Sequence, residues 1–166
     1  MPSVYRHTLS FDGDAFHIFY IFKDQPQAFF LDSSLRQYRA SFSYIGFAPF
    51  MTVRDKDLSG FKRVFDKYRL KRSQGLPFPA GAVGYWGYDG SLFFGLYDTI
   101  LAVDHQKHQL IISSFSKARI KDILMSIQNS NVLNSLPLDG GGKVGVNHIN
   151  RLVFPLPNPP HKGEGI

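Results

Sequence analysis

Two short apolar segments, separated by a polar connection, constrain the fold more than any other part of the chain. Residues 28–31 (AFFL) and 42–47 (FSYIGF) are rich in aromatic and β-branched side chains, which favour the half-buried surface of a β-sheet. The first segment is followed by Asp32 and Ser33, short polar side chains that bond nearby backbone N–H groups at turns. The pattern predicts two adjacent strands joined by residues 32–41.

The remaining sequence divides into strand-type and helix-type segments. Strands are predicted at residues 50–54 and 81–89, and a hairpin is predicted from 96–104 and 110–114. Apolar residues recur at helical spacing in residues 58–70 and 117–127. Residues 15–22 fit a helix capped by Asp14 and, by propensity, equally a strand. These segments predict an α+β fold, mainly antiparallel β-sheet with two or three packing helices.

The composition changes towards the end of the sequence. We expect one domain in residues 1–134 and a disordered tail in residues 135–166, because Pro/Gly-rich sequence buries too little apolar surface to order itself. The final dozen residues resemble the translation of an interspersed bacterial repeat. A polyproline ligand for an aromatic groove is the alternative interpretation of this tail.

The composition also limits the classes of function. The chain of 166 residues has no Cys, which excludes disulfides, thiolate zinc sites and a cysteine nucleophile. Its longest apolar segment, residues 15–22, is much shorter than the roughly 18 residues of a membrane-spanning helix, so we expect a cytoplasmic protein. The net charge of +6 comes in part from one basic cluster, interpreted as a solvated helix face and not as a nucleic-acid site: Lys62, Arg63, Lys67, Arg69, Lys71 and Arg72.

No set of residues in the sequence predicts catalysis or metal binding. His105 and His108 lie beside Asp104, but no third ligand is spaced to join them, and a hairpin turn predicts solvated side chains. Asp12 is placed where a helix cap belongs. Trp86, among glycines, is predicted to lie in the core.

Several motifs resemble one family. Leu31-Asp32-Ser33, Ser43-Tyr44-Ile45-Gly46, the glycine-rich segment 80–89 and YDTILAVDH at 97–105 are similar to the N-terminal domain of component I of para-aminobenzoate (aminodeoxychorismate) synthase. Anthranilate synthase component I is the second match. Asp32 replaces the family's Glu, Ser41 replaces its Arg, and Ala80 replaces a Gly. A shorter segment, 90–96, also separates the glycine-rich motif from the hairpin.

The resemblance implies both a function and a ligand site. The full enzymes aminate chorismate with ammonia from a glutamine amidotransferase subunit, and a second domain binds chorismate and Mg²⁺. The chain is therefore expected to be a truncated, non-catalytic fragment without its own cofactor, whose partners are a separate chorismate-binding domain and that amidotransferase. The family's half-pocket for tryptophan corresponds to Asp32 and Ser33, whose alternative role is a strand-end cap. A stand-alone amino-acid-binding or partner-docking module and a nucleic-acid-binding protein remain the other hypotheses.

The predicted strands are also more apolar than a sheet with one covered face requires. Strands that are apolar on both faces need a cover on both sides. The predicted helices 58–70 and 117–128 can shield only part of this apolar surface. We therefore expect the remainder to form an exposed apolar patch.

Overall fold

The computed structural model describes residues 3–32, 41–55, 58–68, 70 and 78–130. Within these residues the chain forms eight strands, paired antiparallel in two sheets, and three helices. The predicted α+β class is confirmed. The predicted tail, Ser33, and the basic residues Arg69, Lys71 and Arg72 lie outside these residues.

The larger sheet has five strands in the order β1-β8-β7-β3-β2. Its centre is the hairpin of β7 and β8, and the two apolar segments at 28–31 and 42–47 supply the strands at one edge. The bounds of the strands are β1 Tyr5–Ser10, β2 Phe29–Leu31, β3 Phe42–Gly46, β7 Thr99–Asp104 and β8 Gln109–Ser114.

The smaller sheet has three strands in the order β4-β6-β5. They are β4 Met51–Asp55, β5 Gly81–Trp86 and β6 Leu92–Tyr97. Only Asp98 separates β6 from β7, so the chain passes from the smaller sheet to the larger one at this residue. The ring of Tyr97 also contacts Phe29 of the larger sheet, with ring centroids 4.9 Å apart.

Helices cover one face of the larger sheet. They are α1 (Ala15–Phe22), which the Asp14 side chain caps by accepting a hydrogen bond from the backbone N–H of Phe16, and α3 (Lys117–Asn129). The main core lies between these helices and the sheet, and its fully buried members include Ile18, Ile45, Leu101, Leu110, Ile112 and Ile127. The third helix, α2 (Leu58–Lys67), packs on the smaller sheet through Phe61, whose ring stacks on Phe94.

Two strands were not predicted as such. The lead-in to the first helix forms β1, which pairs with β8 along six residues. Residues 92–97, interpreted from the sequence as a shortened loop followed by the start of a hairpin strand, form the central strand of the smaller sheet. The apolar run LFFGLY is buried or half-buried along its length, which explains why it forms a strand.

The expected apolar patch is not on the second face of the larger sheet. Ile100, Ala102 and Ile111 point to this face, and all three are buried. The most exposed aromatic side chains lie instead along the end of β5 and the following turn: Tyr85, Trp86 and Tyr88. The prediction that Trp86 lies in the core is wrong, since 59% of its surface is exposed.

The candidate site formed by Asp32, Ser43 and His105

Asp32 and Ser43 bring two of the sequence motifs into direct contact. Asp32 follows the last residue of β2, and the preceding residue, Leu31, pairs with Tyr44 of β3. In this antiparallel register Asp32, which follows Leu31, lies beside Ser43, which precedes Tyr44. The Ser43 hydroxyl donates a hydrogen bond to Asp32 Oδ1 at 2.6 Å. The LDS and SYIG motifs are therefore joined through their side chains.

His105 completes the group from the other side of β3. It follows the last residue of β7, and its backbone N–H donates to the carbonyl oxygen of Ser41 at 2.9 Å. The pairing of β3 and β7 thus continues up to His105, and its Nε2 lies 2.6 Å from Ser43 Oγ. We call Asp32, Ser43 and His105 the relay site.

The hydrogen bonds of the relay site have a defined direction from donor to acceptor. An ionised carboxylate only accepts hydrogen bonds, and a serine hydroxyl has one hydrogen to give. Because Ser43 gives that hydrogen to Asp32, His105 Nε2 must carry a hydrogen and donate it to Ser43 Oγ. The chain of hydrogen bonds therefore runs from His105 through Ser43 to Asp32.

This direction does not suit nucleophilic catalysis by Ser43. A catalytic serine gives its proton to a neighbouring base and must be reached by the substrate. Ser43 has no exposed surface, and in the relay site His105 donates to it. The relay site has the residue types of a hydrolase triad but not the arrangement.

The accessible end of the relay site is Asp32. Its side chain is exposed, whereas His105 is half-buried and Ser43 fully buried. In the part of the chain that the structure describes, Asp32 has one hydrogen-bond partner, the hydroxyl of Ser43. Of the three side chains, that of Asp32 is therefore the most accessible to a ligand.

An apolar surface lies next to Asp32 on the same face of the sheet. Phe30, two residues earlier in β2, shares that face because side chains alternate along a strand. Its ring stacks on Phe19 at 5.4 Å between centroids and meets Phe16 of α1 edge-on at 6.2 Å. Phe16 is 46% exposed. The three phenylalanines form an aromatic shelf beside an exposed carboxylate.

The structure locates one of the two predicted ligand residues, Asp32, and Ser33 lies outside the residues it describes. Asp32 accepts a hydrogen bond from a side chain of the neighbouring strand. The prediction of a solvated side chain is wrong for His105. It holds for His108, which is exposed, although its Nδ1 lies 2.6 Å from Asp12 Oδ1.

Asp89 of the glycine-rich motif has a structural role in the turn between β5 and β6. Its carboxylate accepts hydrogen bonds from the hydroxyl of Ser91 at 2.6 Å and from the backbone N–H of Ser91 at 3.0 Å. These bonds lower the pKa of Asp89. Asp89 therefore stabilises the turn between β5 and β6.

Neither a metal centre nor a membrane span is found in the residues that the structure describes. No group of three His, Asp or Glu side chains there is placed to hold a metal ion. None of the three helices is both long enough and apolar enough to cross a bilayer.

No protein-family model matches the sequence, and a search of curated proteins found no similar protein.

Proposed function

We propose that this chain is a domain of a chorismate-aminating synthase, equivalent to the N-terminal domain of component I of para-aminobenzoate synthase. In this proposal it binds an amino acid through Asp32 and does not aminate chorismate by itself. Component I of anthranilate synthase, which has a similar N-terminal domain, is the second candidate within the same class.

The observation that carries the proposal is the hydrogen bond between Ser43 and Asp32. The motifs that resemble the family, LDS and SYIG, are separated in the sequence but share this 2.6 Å contact in the fold. The contact fixes the carboxylate of Asp32, whose side chain is exposed. A carboxylate held in this way is preorganised to accept a hydrogen bond from an ammonium group.

The aromatic shelf supplies the second element of recognition. An amino acid whose ammonium group bonds Asp32 can lay an aromatic side chain against Phe30 and Phe16. Aromatic pairs at such distances add about 0.5–1.5 kcal/mol to the burial of their area. The shelf therefore favours an aromatic amino acid, which agrees with the tryptophan that the resemblance implies.

A partner-docking function is supported by a separate observation. Tyr85 and Trp86 on β5, with Tyr88 in the turn after it, are large aromatic side chains held at the surface. Aromatic residues are enriched at the centres of protein interfaces. In our proposal, this aromatic edge contacts the chorismate-binding domain.

The amino-acid site can be tested by titrating the ¹⁵N-labelled protein with tryptophan and following the amide chemical shifts. We expect shifts at Asp32, Ser43 and His105 with a dissociation constant of about 1 mM or weaker, roughly −4 kcal/mol. A half-open site encloses little of the ligand, which limits the affinity. Asp32→Asn keeps the size of the side chain but removes its charge, and should weaken binding by about tenfold.

The matched control for this titration is Asp66→Asn, the same substitution at an exposed position of α2. It should leave the affinity unchanged. Equal affinities for Asp32→Asn and the unmodified protein would contradict the assignment of Asp32. A micromolar dissociation constant would instead favour a stand-alone amino-acid sensor.

A further inference from the structure

We infer that the Pro-rich segment at residues 154–160 docks on the smaller sheet of its own chain, where three side chains form an aromatic and basic row. We call these side chains, Arg54, Phe93 and Tyr85, the cross-strand row. The segment, FPLPNPP, lies outside the described residues, and the sequence alone leaves open whether it is a translated repeat or a polyproline ligand. The inference is independent of the family resemblance and of the amino-acid site at Asp32.

The cross-strand row spans all three strands of the smaller sheet at one level. Phe93 of the central strand pairs with Arg54 of β4 on one side and with Tyr85 of β5 on the other. The Cζ atom of Arg54 lies over the Phe93 ring, 5.1 Å from its centroid, and the Phe93 and Tyr85 rings are 5.8 Å apart. Helix α2 packs on the opposite face, where Phe61 stacks on Phe94, because successive side chains of a strand alternate between faces.

The cross-strand row is accessible from solvent. Tyr85 is 63% exposed, Arg54 is exposed, and Phe93 between them is half-buried. Aromatic rings and a guanidinium group that already contact each other across a sheet need little further ordering when a ligand binds. The row is therefore a preformed surface with a low entropic cost of binding.

The hydrogen-bonding capacity of the cross-strand row complements that of the Pro-rich segment. The guanidinium of Arg54 only donates hydrogen bonds, and the hydroxyl of Tyr85 can also donate one. A polyproline II helix has no internal hydrogen bonds, so its carbonyl groups remain free to accept them. Four residues of the segment also lack a backbone N–H group: Pro155, Pro157, Pro159 and Pro160. Surfaces lined by aromatic side chains bind such segments.

The length of the intervening sequence allows the segment to reach the cross-strand row. Residues 131–153 connect it to Ser130, the last described residue. A chain of this length spans up to roughly 75 Å when extended, whereas a domain of about 130 residues has a radius of gyration of about 14 Å. Tethering also gives the segment an effective concentration of up to about 1 mM. This favours docking within one chain over docking on a second copy in dilute solution.

A nitroxide spin label on the full chain can test this docking. The chain has no Cys, so Gly163→Cys provides a single attachment site just beyond the segment. The label broadens the amide signals of the residues that it approaches. In dilute ¹⁵N-labelled protein we expect broadening at Arg54, Tyr85 and Phe93, and its loss when the nitroxide is chemically reduced.

Two substitutions in β5 separate the cross-strand row from the rest of the strand. Tyr85→Thr removes the ring but keeps a residue suited to a strand, and should weaken docking by about fivefold or more, with loss of most of the broadening. Trp86→Thr is the matched control, because Trp86 is similarly exposed, at 59%, but projects from the opposite face. It should leave the broadening unchanged. Replacing both Pro157 and Pro159 by Ser should abolish it, since the polyproline II conformation is then less favoured.

The remaining outcomes would overturn the inference. These are no broadening at the cross-strand row, or equal broadening in Tyr85→Thr and Trp86→Thr. A mixed sample, in which the label and the ¹⁵N are on different chains, should show no broadening. Broadening there would assign the surface to a second copy and overturn docking within one chain. The amino-acid site at Asp32 is measured separately by tryptophan binding, so it can fail or hold independently. A well-dispersed amide spectrum of each variant shows that the fold is retained.

Discussion

Tyr97 connects the two sheets at the scale of single residues. Its ring packs against Phe29, and its hydroxyl donates a hydrogen bond to the carbonyl oxygen of Gln27 at 2.8 Å. The residue is 4% exposed, and burial raises its pKa above the ordinary value of 10.0. The neutral phenol is therefore the form that the folded protein stabilises.

This pKa shift predicts a loss of stability in alkali. The contribution of Tyr97 is fully present below its unfolded pKa of 10.0 and is lost as the pH rises through the higher folded pKa. Tyr97→Phe should lower the free energy of unfolding by about 1 kcal/mol near neutral pH, because the bond to Gln27 is lost. It should also reduce the loss of stability above about pH 10.

Urea unfolding at several pH values measures both effects. The exposed Tyr20 provides the control, since Tyr20→Phe removes a hydroxyl from the surface and should change neither the stability nor its pH dependence. Burial also raises the pKa of Tyr44, with a further contribution from the charge of Asp104, so part of the alkaline loss should remain in Tyr97→Phe. An unchanged alkaline loss in this variant would contradict the role of Tyr97.

At the same scale, the sequence predicted Asp32 as a ligand residue but not its partners. The contact of Ser43 with His105 spans 62 positions of sequence and depends on the register between β3 and β7. No local pattern encodes that register, so the sequence alone predicts a solvated side chain for His105. The prediction of a buried Trp86 is wrong for a related reason. A strand pattern does not show whether other elements pack over the end of the strand.

At the scale of elements, the pairing of β5 with β6 depends on a glycine. A Cβ atom at Gly84 would collide with the carbonyl oxygen of Phe93 and lie 2.7 Å from the Cα of Phe94. Both obstacles belong to the backbone of the central strand and cannot rotate away. The glycine-rich motif thus allows close approach of two strands.

Gly84→Ala should lower the free energy of unfolding by about 2–3 kcal/mol, the cost of an overpacked interior. Gly81→Ala is the matched control in the same strand. A Cβ there would lie 2.6 Å from the edge of the Phe78 ring, which can turn aside, so we expect a loss of about 1 kcal/mol or less. Urea unfolding of the two variants provides the comparison, and equal losses would contradict the close approach at Gly84.

The sequence predicted α2, α3 and most strands, left residues 15–22 open between a helix and a strand, and missed β6 for a physical reason. The apolar spacing of 58–70 and 117–127 marks α2 and α3 through a local rule of periodicity. In contrast, residues 92–104 form two strands in different sheets with only Asp98 between them. A change of sheet is a tertiary event, and the nearly continuous apolar sequence does not mark it.

At the scale of the whole molecule, the described residues include a well-covered core and an exposed aromatic edge. The helices α1 and α3 cover the larger sheet, whereas Tyr85 and Trp86 leave much of their rings in solvent. Exposed aromatic clusters of this kind are typical of surfaces that bind a partner. The proposed partner is a chorismate-binding domain.

The most direct test of the proposed function measures amination of chorismate, with ammonia and Mg²⁺ present, by this chain and by a separately produced chorismate-binding domain of para-aminobenzoate synthase component I. We expect no product from this chain alone and a clear increase in rate when it is added to that domain. Trp86→Ser should reduce the increase, whereas Tyr20→Ser, at a similarly exposed position of α1, should not. Product formed by this chain alone, or a mixture no faster than the chorismate-binding domain by itself, would contradict the proposal.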